Sequence, residues 1–230
     1  MDFAGKAVLT FDCYGTLIDW ETGIAAAVRP VLRAHGLAVS DDRLLELYAE
    51  LEAAAEAGPY RAYAEVLAAA MRGLGQRLGF APTPAEVVHL ANSVGAWPAF
   101  PDTPAALAAL RRRFKLAIIS NVDDVLFAAT ARRLGVDFDW VVTAQQARSY
   151  KPSTAIFRVA LDRIGLPTER LVHVAQSLFH DHVPAKQLGL DTVWVNRRRG
   201  RPGFGATPPA AAQPDLEVPD LATLADVACR

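Results

Sequence analysis

Short apolar runs alternate with longer amphipathic segments along most of this chain. The apolar runs cover residues 8–11, 114–119, 140–143, 171–175 and 192–195. Strands that are apolar on both faces are typical of parallel sheets covered by helices, so these runs predict a buried parallel sheet. The pattern therefore predicts an α/β fold with a doubly wound core.

Amphipathic segments interrupt this alternation directly after the first strand. Apolar residues recur at three- and four-residue spacing across residues 23–35, 41–57, 60–78 and 84–93, which predicts helices that bury one face. Glycine and proline residues separate these segments. We therefore expect residues 1–19 and 97–230 to form an α/β core and residues 20–96 to form an all-helical insertion.

The remainder of the chain alternates strands with crossover helices. Helices are predicted at residues 101–113, 123–134, 153–164 and 182–188, and the run at 192–195 is predicted to be the last strand. Residues 200–214 are rich in Gly, Pro and Ala, which predicts an irregular segment before a short helix at 221–227.

Composition limits the classes of partner and compartment. The chain has 230 residues and a formal net charge of −1 at pH 7, which gives no reason to expect nucleic acid or an anionic membrane surface. Its two cysteines, Cys13 and Cys229, are too few for a disulfide framework and fit a reducing compartment. No signal-like segment begins the chain and no apolar run is long enough to span a bilayer, so we expect a cytoplasmic protein.

Small polar and charged residues follow the predicted strands. Asp12 follows the first, Ser120 and Asn121 end the second, Lys151 lies beyond the third and Asp181 beyond the fourth. Ligands of open α/β sheets gather at the carboxyl ends of the strands, so we expect these side chains to meet there. In this position Asp12 can act as a nucleophile, although a turn or N-cap aspartate would also fit its segment.

These residues, in this order, resemble the four signature motifs of the haloacid dehalogenase superfamily, and the resemblance covers nearly the whole chain. It implies a Rossmann-like core in which the helical insertion is a cap that closes over the active site. It also implies a hydrolase whose partner is a small-molecule substrate. The oligomeric state is left open, with a homodimer as one option.

Two positions differ from the phosphatases of that superfamily. Those enzymes carry a second aspartate two residues after the nucleophile, where this chain has Tyr14, and an acidic metal ligand in the fourth motif, where it has Gln176. Hard cations need carboxylate oxygens to offset their dehydration, so this set of residues would hold Mg²⁺ poorly. We therefore expect no metal and no other cofactor.

The segment Phe11–Leu17 instead matches the Phe-Asp-x-Tyr-Gly-Thr-Leu pattern of the L-2-haloacid dehalogenases. This resemblance implies metal-independent hydrolytic dehalogenation of small (S)-2-haloacids through a covalent aspartyl ester. Two alternatives stay open. One is a superfamily hydrolase acting on a phosphate ester or another small electrophilic acid, and the other is a non-catalytic binding protein.

The resemblance also implies a role for each candidate residue. The candidates are the nucleophile Asp12, the cation Lys151 that keeps it ionised, the hydroxyls of Thr16 and Ser120 that orient carboxylate oxygens, the amide of Asn121 that faces substrate or halide, Asp181 that activates water, and Tyr14 beside the leaving group. A helix N-cap is an alternative use for Asp181, and a purely structural tyrosine is an alternative for Tyr14.

Several positions depart from the dehalogenases or have no assigned role. Those enzymes hold the substrate carboxylate with a cap arginine, for which Arg43 and Arg61 are only candidates, and some have an asparagine where this chain has Leu178. His173 lies within an apolar strand and is predicted to be a core histidine, whereas the role of His180 is left open. Cys13 is predicted to be a buried, inert thiol.

Overall fold

The computed structural model describes residues 1–230 and contains one six-stranded sheet. Its strands are β1 (Val8–Phe11), β2 (Lys115–Ser120), β3 (Trp140–Thr143), β4 (Leu171–Ala175), β5 (Asp191–Val195) and β6 (Leu216–Val218). All neighbouring strands pair in parallel, in the order β3-β2-β1-β4-β5-β6. This arrangement confirms the predicted α/β fold with a doubly wound sheet.

Ten α-helices accompany the sheet. They are α1 (Trp20–Ala34), α2 (Asp41–Glu56), α3 (Tyr63–Leu78), α4 (Pro84–Ser93), α5 (Thr103–Arg111), α6 (Asp124–Leu134), α7 (Ala144–Ala147), α8 (Thr154–Ile164), α9 (Val183–Gln187) and α10 (Leu221–Ala228). None of them is both long enough and apolar enough to cross a membrane. A π-helical turn, Leu178–His182, precedes α9.

Two details of the prediction were wrong. The strand at residues 191–195 is not the last, because β6 pairs with it at the edge of the sheet. This three-residue strand carries exposed Glu217 at its centre and so lacks an apolar run that would reveal it. Helix α3 begins at Tyr63 rather than residue 60, because the backbone at Ala62 is extended and the Asp123 carboxylate accepts the amides of Tyr63 and Ala64 at 2.8 and 3.0 Å.

The order of the strands determines where a site can form. Strands β2 and β3 lie on one side of β1, whereas β4, β5 and β6 lie on the other. The direction of winding therefore reverses between β1 and β4, and crevices that bind ligands form at the carboxyl ends of strands around such a reversal. Asp12 follows β1 directly at this point.

The helical segment leaves and rejoins the sheet through two adjacent connections. The amide of Asp19 donates to the carbonyl of Pro98 at 2.8 Å, and the amide of Phe100 donates to the carbonyl of Leu17 at 3.1 Å. Asp19 also caps α1 by accepting the amide of Thr22 at 3.2 Å. The segment that contains helices α1 to α4 thus starts and ends at neighbouring positions. Side chains of α2 and α3 line the pocket at the carboxyl end of β1.

Candidate active site

A buried lysine joins two carboxylates at the carboxyl ends of the strands. The Lys151 ammonium donates to Asp12 Oδ1 at 2.8 Å, to Asp181 Oδ1 at 2.7 Å and to the carbonyl of Ile119 at 3.0 Å. The Thr16 hydroxyl donates to the other oxygen of Asp12, Oδ2, at 2.7 Å. The structure therefore brings four of the candidate residues into one hydrogen-bonded cluster, in which every ammonium hydrogen has a partner.

The cluster sets the charges of its members. Burial raises the pKa of Asp12 above its ordinary value, against the opposing attraction of the Lys151 ammonium. Burial alone would lower the pKa of Lys151, but Asp12 and Asp181 outweigh it and hold that pKa above the usual range. Burial would raise the pKa of Asp181, but Lys151 and His173 outweigh it and hold that pKa well below its usual range. Lys151 is therefore a cation and Asp181 an anion at neutral pH.

His173, within β4, is a further member of the cluster. Its Nε2 lies 2.9 Å from Asp181 Oδ1, and its Nδ1 lies 2.8 Å from the Thr10 hydroxyl. The anion can only accept a hydrogen bond, so Nε2 carries the hydrogen, and in the neutral imidazole Nδ1 accepts one from Thr10. His173 is fully buried, as predicted, but it contacts a candidate catalytic residue. The parallel register pairs it with Thr10, two positions before Asp12, which places all three side chains on one face of the sheet.

Asp181 keeps one oxygen free. Lys151 and His173 both bond to its Oδ1, whereas its buried Oδ2 has no hydrogen-bond partner in the protein. Asp181 lies in the π-helical turn Leu178–His182. There the hydroxyl oxygen of Ser177, and not the carboxylate of Asp181, accepts the amide of His180 at 2.9 Å. The N-cap alternative for Asp181 therefore does not describe its contacts. A carboxylate held through one oxygen can use the other to accept a proton from water.

Asn121 positions the lysine backbone. Its Oδ1 accepts the amide of Lys151 at 2.8 Å, and its Nδ2 donates to the carbonyl of the same residue at 3.1 Å. The Nδ2 group also lies 3.2 Å from Glu56 Oε2. The neighbouring Ser120 is buried in the pocket, and its hydroxyl has no partner. Ser120 is thus freer than Asn121 to contact a substrate.

Tyr14 lines the pocket with its ring, but its hydroxyl is engaged elsewhere. That hydroxyl lies 2.8 Å from the Thr130 hydroxyl of α6, and the ring packs edge-on against Trp97 with centroids 5.7 Å apart. These contacts favour a structural role for the hydroxyl. Cys13 is fully buried, and burial raises the pKa of its thiol well above the ordinary value, as expected for an inert thiol.

The pocket around these groups is small. Its volume is about 30 Å³, which leaves space for about two water molecules. A larger cavity of about 400 Å³ adjoins it and shares Glu56, Lys151 and His180 with it. Burial lowers the pKa of His180 to about 4, so this shared side chain is neutral at neutral pH.

Two acidic side chains of α2 also line the pocket, and sequence reasoning missed both. Glu52 Oε1 accepts hydrogen bonds from the hydroxyls of Tyr48 and Tyr63, each at 2.6 Å. Glu56 receives the amide of Asn121. Burial raises the pKa of Glu52 to about 7 and that of Glu56 well above its ordinary value. Their i, i+4 spacing on one helix was the available signal, because it places both on the same face.

The two candidate arginines lie outside the pocket. Arg43 is exposed and pairs with Glu46 on its own helix at 3.5 Å, and Arg61 is also exposed. Neither lines the pocket that contains Asp12. Leu178 lines a separate surface cavity beside Trp194. Arg43 and Arg61 are therefore not placed to hold a substrate carboxylate beside Asp12.

The residues around Asp12 do not fit a divalent cation. No group of three or more His, Cys, Asp or Glu side chains is arranged to hold a metal ion. Gln176 stands where an acidic ligand would be needed, and its Oε1 lies 3.3 Å from the Thr207 hydroxyl as a neutral acceptor. Mg²⁺ keeps its hydration unless carboxylate oxygens replace it, and the carboxylates of Asp12 and Asp181 already share the Lys151 ammonium as their cation.

Comparison with known proteins identifies the family. A model of haloacid dehalogenase-like hydrolases matches residues 6–181, and a second model of HAD-like hydrolases matches residues 150–224. The chain therefore belongs to the haloacid dehalogenase-like hydrolase family, and the resemblance inferred from its motifs is confirmed.

Individual relatives include proteins of different names. Haloacid dehalogenase-like hydrolase domain-containing protein 3 of Danio rerio is 32% identical over 116 residues, which are 49% of this chain and 48% of that protein. The chain thus spans about half the length of that relative. The (S)-2-haloacid dehalogenase of Pseudomonas fluorescens is 26% identical over 196 residues, 83% of this chain and 84% of that enzyme.

The fold is shared with solved dehalogenases. The L-2-haloacid dehalogenase from Xanthobacter autotrophicus with chloropropionic acid covalently bound superposes with a TM-score of 0.79. The match covers 96% of this chain and 98% of that chain at 21% identity. At this identity the likeness shows the common fold alone.

Proposed function

We propose that this hydrolase displaces halide from small compounds that carry the halogen at carbon 2, without a divalent cation, through an ester on Asp12. The observation that supports the proposal is the state of Asp12. Its carboxylate is buried, is held by Lys151 at 2.8 Å and Thr16 at 2.7 Å, and has Tyr14 rather than a second acid two residues later. A halide leaves without being protonated, so this chemistry needs no acid at that position.

The first step forms the ester. A carboxylate oxygen of Asp12 attacks the carbon that bears the halogen, a carbon–oxygen bond forms, and the halide departs with the electron pair of the broken bond. Lys151 and Thr16 hold the carboxylate in place during attack, which lowers the entropy lost on reaching the transition state. The negative charge moves from the carboxylate to the halide in this step.

The second step hydrolyses the ester. Asp181 uses its free oxygen, Oδ2, to accept a proton from a water molecule as that water attacks the acyl carbon of Asp12. The acyl bond breaks, the hydroxylated product takes a proton, and Asp12 regains its carboxylate with one oxygen from water. The sum is one organohalide and one water converted to one alcohol, one halide and one proton. We infer that residues 20–96 act as the cap that excludes bulk water during attack.

Isotope labelling tests this mechanism. In a single turnover in water enriched with heavy oxygen, with whichever of 2-chloropropionate and its amide releases halide faster, the label is expected in the Asp12 carboxylate and not in the product. Asp181→Asn is expected to slow the second step more than the first, so the peptide containing Asp12 should gain the mass of the ester. Asp226→Asn, in α10 near the end of the chain, is the matched control and should accumulate no ester. Label in the product of the first turnover, with no ester in any variant, would refute the covalent mechanism.

A phosphate ester is the competing substrate. Release of phosphate from p-nitrophenyl phosphate that requires Mg²⁺, together with no halide from any organohalide, would replace the proposed reaction with phosphoryl transfer. If the protein releases neither product, a non-catalytic binding role becomes the better explanation.

A further inference from the structure

The charges that line the pocket differ from those a carboxylate substrate needs. Lys151 is the only cation among the lining residues, and its ammonium already donates to Asp12, Asp181 and the carbonyl of Ile119. The adjoining cavity is lined by one arginine, Arg148, whose guanidinium lies 4.3 Å from the centroid of the Tyr60 ring. A substrate carboxylate would therefore be buried beside Asp12 without a cation, which strongly disfavours binding.

Glu52 and Glu56 line the same pocket and bring no positive charge to it. Glu52 is 3% exposed, and the hydroxyls of Tyr48 and Tyr63 both donate to its Oε1. The side chain of Glu56 is 6% exposed and is held from one side by Asn121. An ionised carboxylate only accepts hydrogen bonds, and a protonated one still has an accepting carbonyl oxygen. Both residues thus offer acceptors to the pocket in either state.

Two polar atoms that line the pocket are available to a polar ligand. Ser120 Oγ and His180 Nε2 line it, each belongs to a side chain at least nine-tenths buried, and neither has a hydrogen-bond partner. Buried polar groups are rarely left unpaired, and such exceptions mark places where a ligand or water completes the bonding. The Ser120 hydroxyl can donate to a carbonyl oxygen of a ligand whose N–H groups face the glutamates.

We propose that the substrate carries an N–H donor, a carboxamide or an amine, on the carbon next to the reacting carbon. Glu52 and Glu56 accept hydrogen bonds from this group, which takes the place of the carboxylate that an arginine would bind. This proposal rests on the proposed displacement at carbon and specifies its substrate class. A carboxamide leaves the adjacent carbon activated toward attack and carries no negative charge to repel Asp12. A site built to hydrogen-bond one group rejects the analogue that lacks it, so the discrimination should be large.

Matched substrates test the assignment. Halide release is measured from 2-chloropropionamide, 1-amino-2-chloropropane and 2-chloropropionate. We expect kcat/KM for the amide or the amine to exceed that for the acid by about tenfold or more. The comparison of the amide with the amine shows which of these two N–H donors the enzyme prefers. An acid turned over as fast as both, or faster, overturns the proposal.

Variants assign the preference to the two glutamates. Glu56→Met and Glu52→Met keep a similar volume but remove both carboxyl oxygens, so each is expected to reduce the preference for the N–H substrate over the acid by about tenfold. Glu50→Met is the control on the same helix, because Glu50 is exposed and pairs with Arg77 at 3.2 Å. A preference unchanged in both pocket variants would overturn the role of the glutamates.

A binding measurement separates this proposal from the chemistry on which it rests. Ligand-observed NMR with the wild-type protein compares propionamide with propionate, neither of which can react. Preferential binding of propionamide supports the recognition even if no organohalide is turned over, in which case only the displacement fails. Halide release with ester on Asp12, but preferential binding of propionate, leaves the displacement standing and refutes the N–H assignment.

Discussion

Replacing Lys151 by methionine should cost a large part of the stability of the fold at neutral pH. Lys151 is 1% exposed and lies 2.8 and 2.7 Å from two carboxylates that are themselves buried. Methionine has similar length and fills the same space, but it leaves Asp12 and Asp181 without a counter-charge. The substitution thus removes one partner from two buried ion pairs at once.

The magnitude follows from what a buried, uncompensated charge costs. Removing one partner of a buried pair costs about 3–5 kcal/mol, and we expect the upper half of that range because two carboxylates lose their partner. A folded domain is stable by only about 5–15 kcal/mol in total. Lys186→Met is the control: Lys186 pairs with Asp215 at 2.7 Å, but both side chains are about a third exposed, so the loss should be about 0–1 kcal/mol.

The pH dependence carries the sharper test. In the wild type the pKa of Asp181 is depressed, so its contribution to stability is present above its unfolded pKa and is lost as the pH falls through the folded value. Without Lys151, burial raises the pKa of both carboxylates, and the folded state binds more protons than the unfolded state. The variant should therefore lose stability relative to wild type as the pH rises above about 4.

Urea unfolding followed by circular dichroism measures the effect between about pH 4 and about pH 8. We expect the gap between wild type and Lys151→Met to be smallest at the acidic end and to widen toward neutral pH. Adding Asp181→Asn to the variant should recover part of the loss, because one buried charge is then gone. A loss below about 1 kcal/mol that is independent of pH would refute the reasoning from buried charge.

Two further outcomes concern the metal and the histidine. Turnover of the best substrate should be unchanged in EDTA; a loss that Mg²⁺ restores would show that Gln176 has been misinterpreted. His173→Leu should slow ester hydrolysis about 10–100-fold, by analogy with the loss of groups that orient a reacting side chain, and should affect ester formation less. His173→Gln, which keeps an N–H donor, should recover part of the rate, whereas equal slowing of both steps in single-turnover experiments would indicate a merely structural role.

Much of the core could be predicted because its signals are local. Buried parallel strands are continuous apolar runs, and the polar residues that end them are adjacent in sequence to those runs. Asp12 and Ser120 could therefore be assigned to one edge of a sheet without knowledge of the strand order, and Asp181 could be added because it follows β4 after only five residues. Strand β6 could not, because an edge strand of three residues is stabilised by pairing with β5 rather than by its own apolar pattern.

The remaining parts of the site depend on contacts distant in sequence. His173 sits in an apolar strand, and only the pairing of β1 with β4 places it beneath Asp181 and beside Thr10. Glu52 and Glu56 lie on an amphipathic helix whose pattern shows which face is buried but not what that face covers. The boundaries of the core and the cap, at residues 1–19, 20–96 and 97–230, likewise stay a prediction.

The proposed reaction and the proposed recognition therefore use different segments of this chain. Asp12, Lys151 and Asp181, which we propose carry out the reaction, all follow strands of the sheet, whereas the two acids that we propose face the substrate come from α2. The loops that follow the strands can keep Asp12 and Lys151 in place while the side chains that α2 contributes to the pocket differ between relatives. Sharing a motif at Phe11–Leu17 with dehalogenases thus supports a common attack at carbon, because that motif positions the nucleophile. It carries no information about the end of the substrate that we propose contacts Glu52 and Glu56.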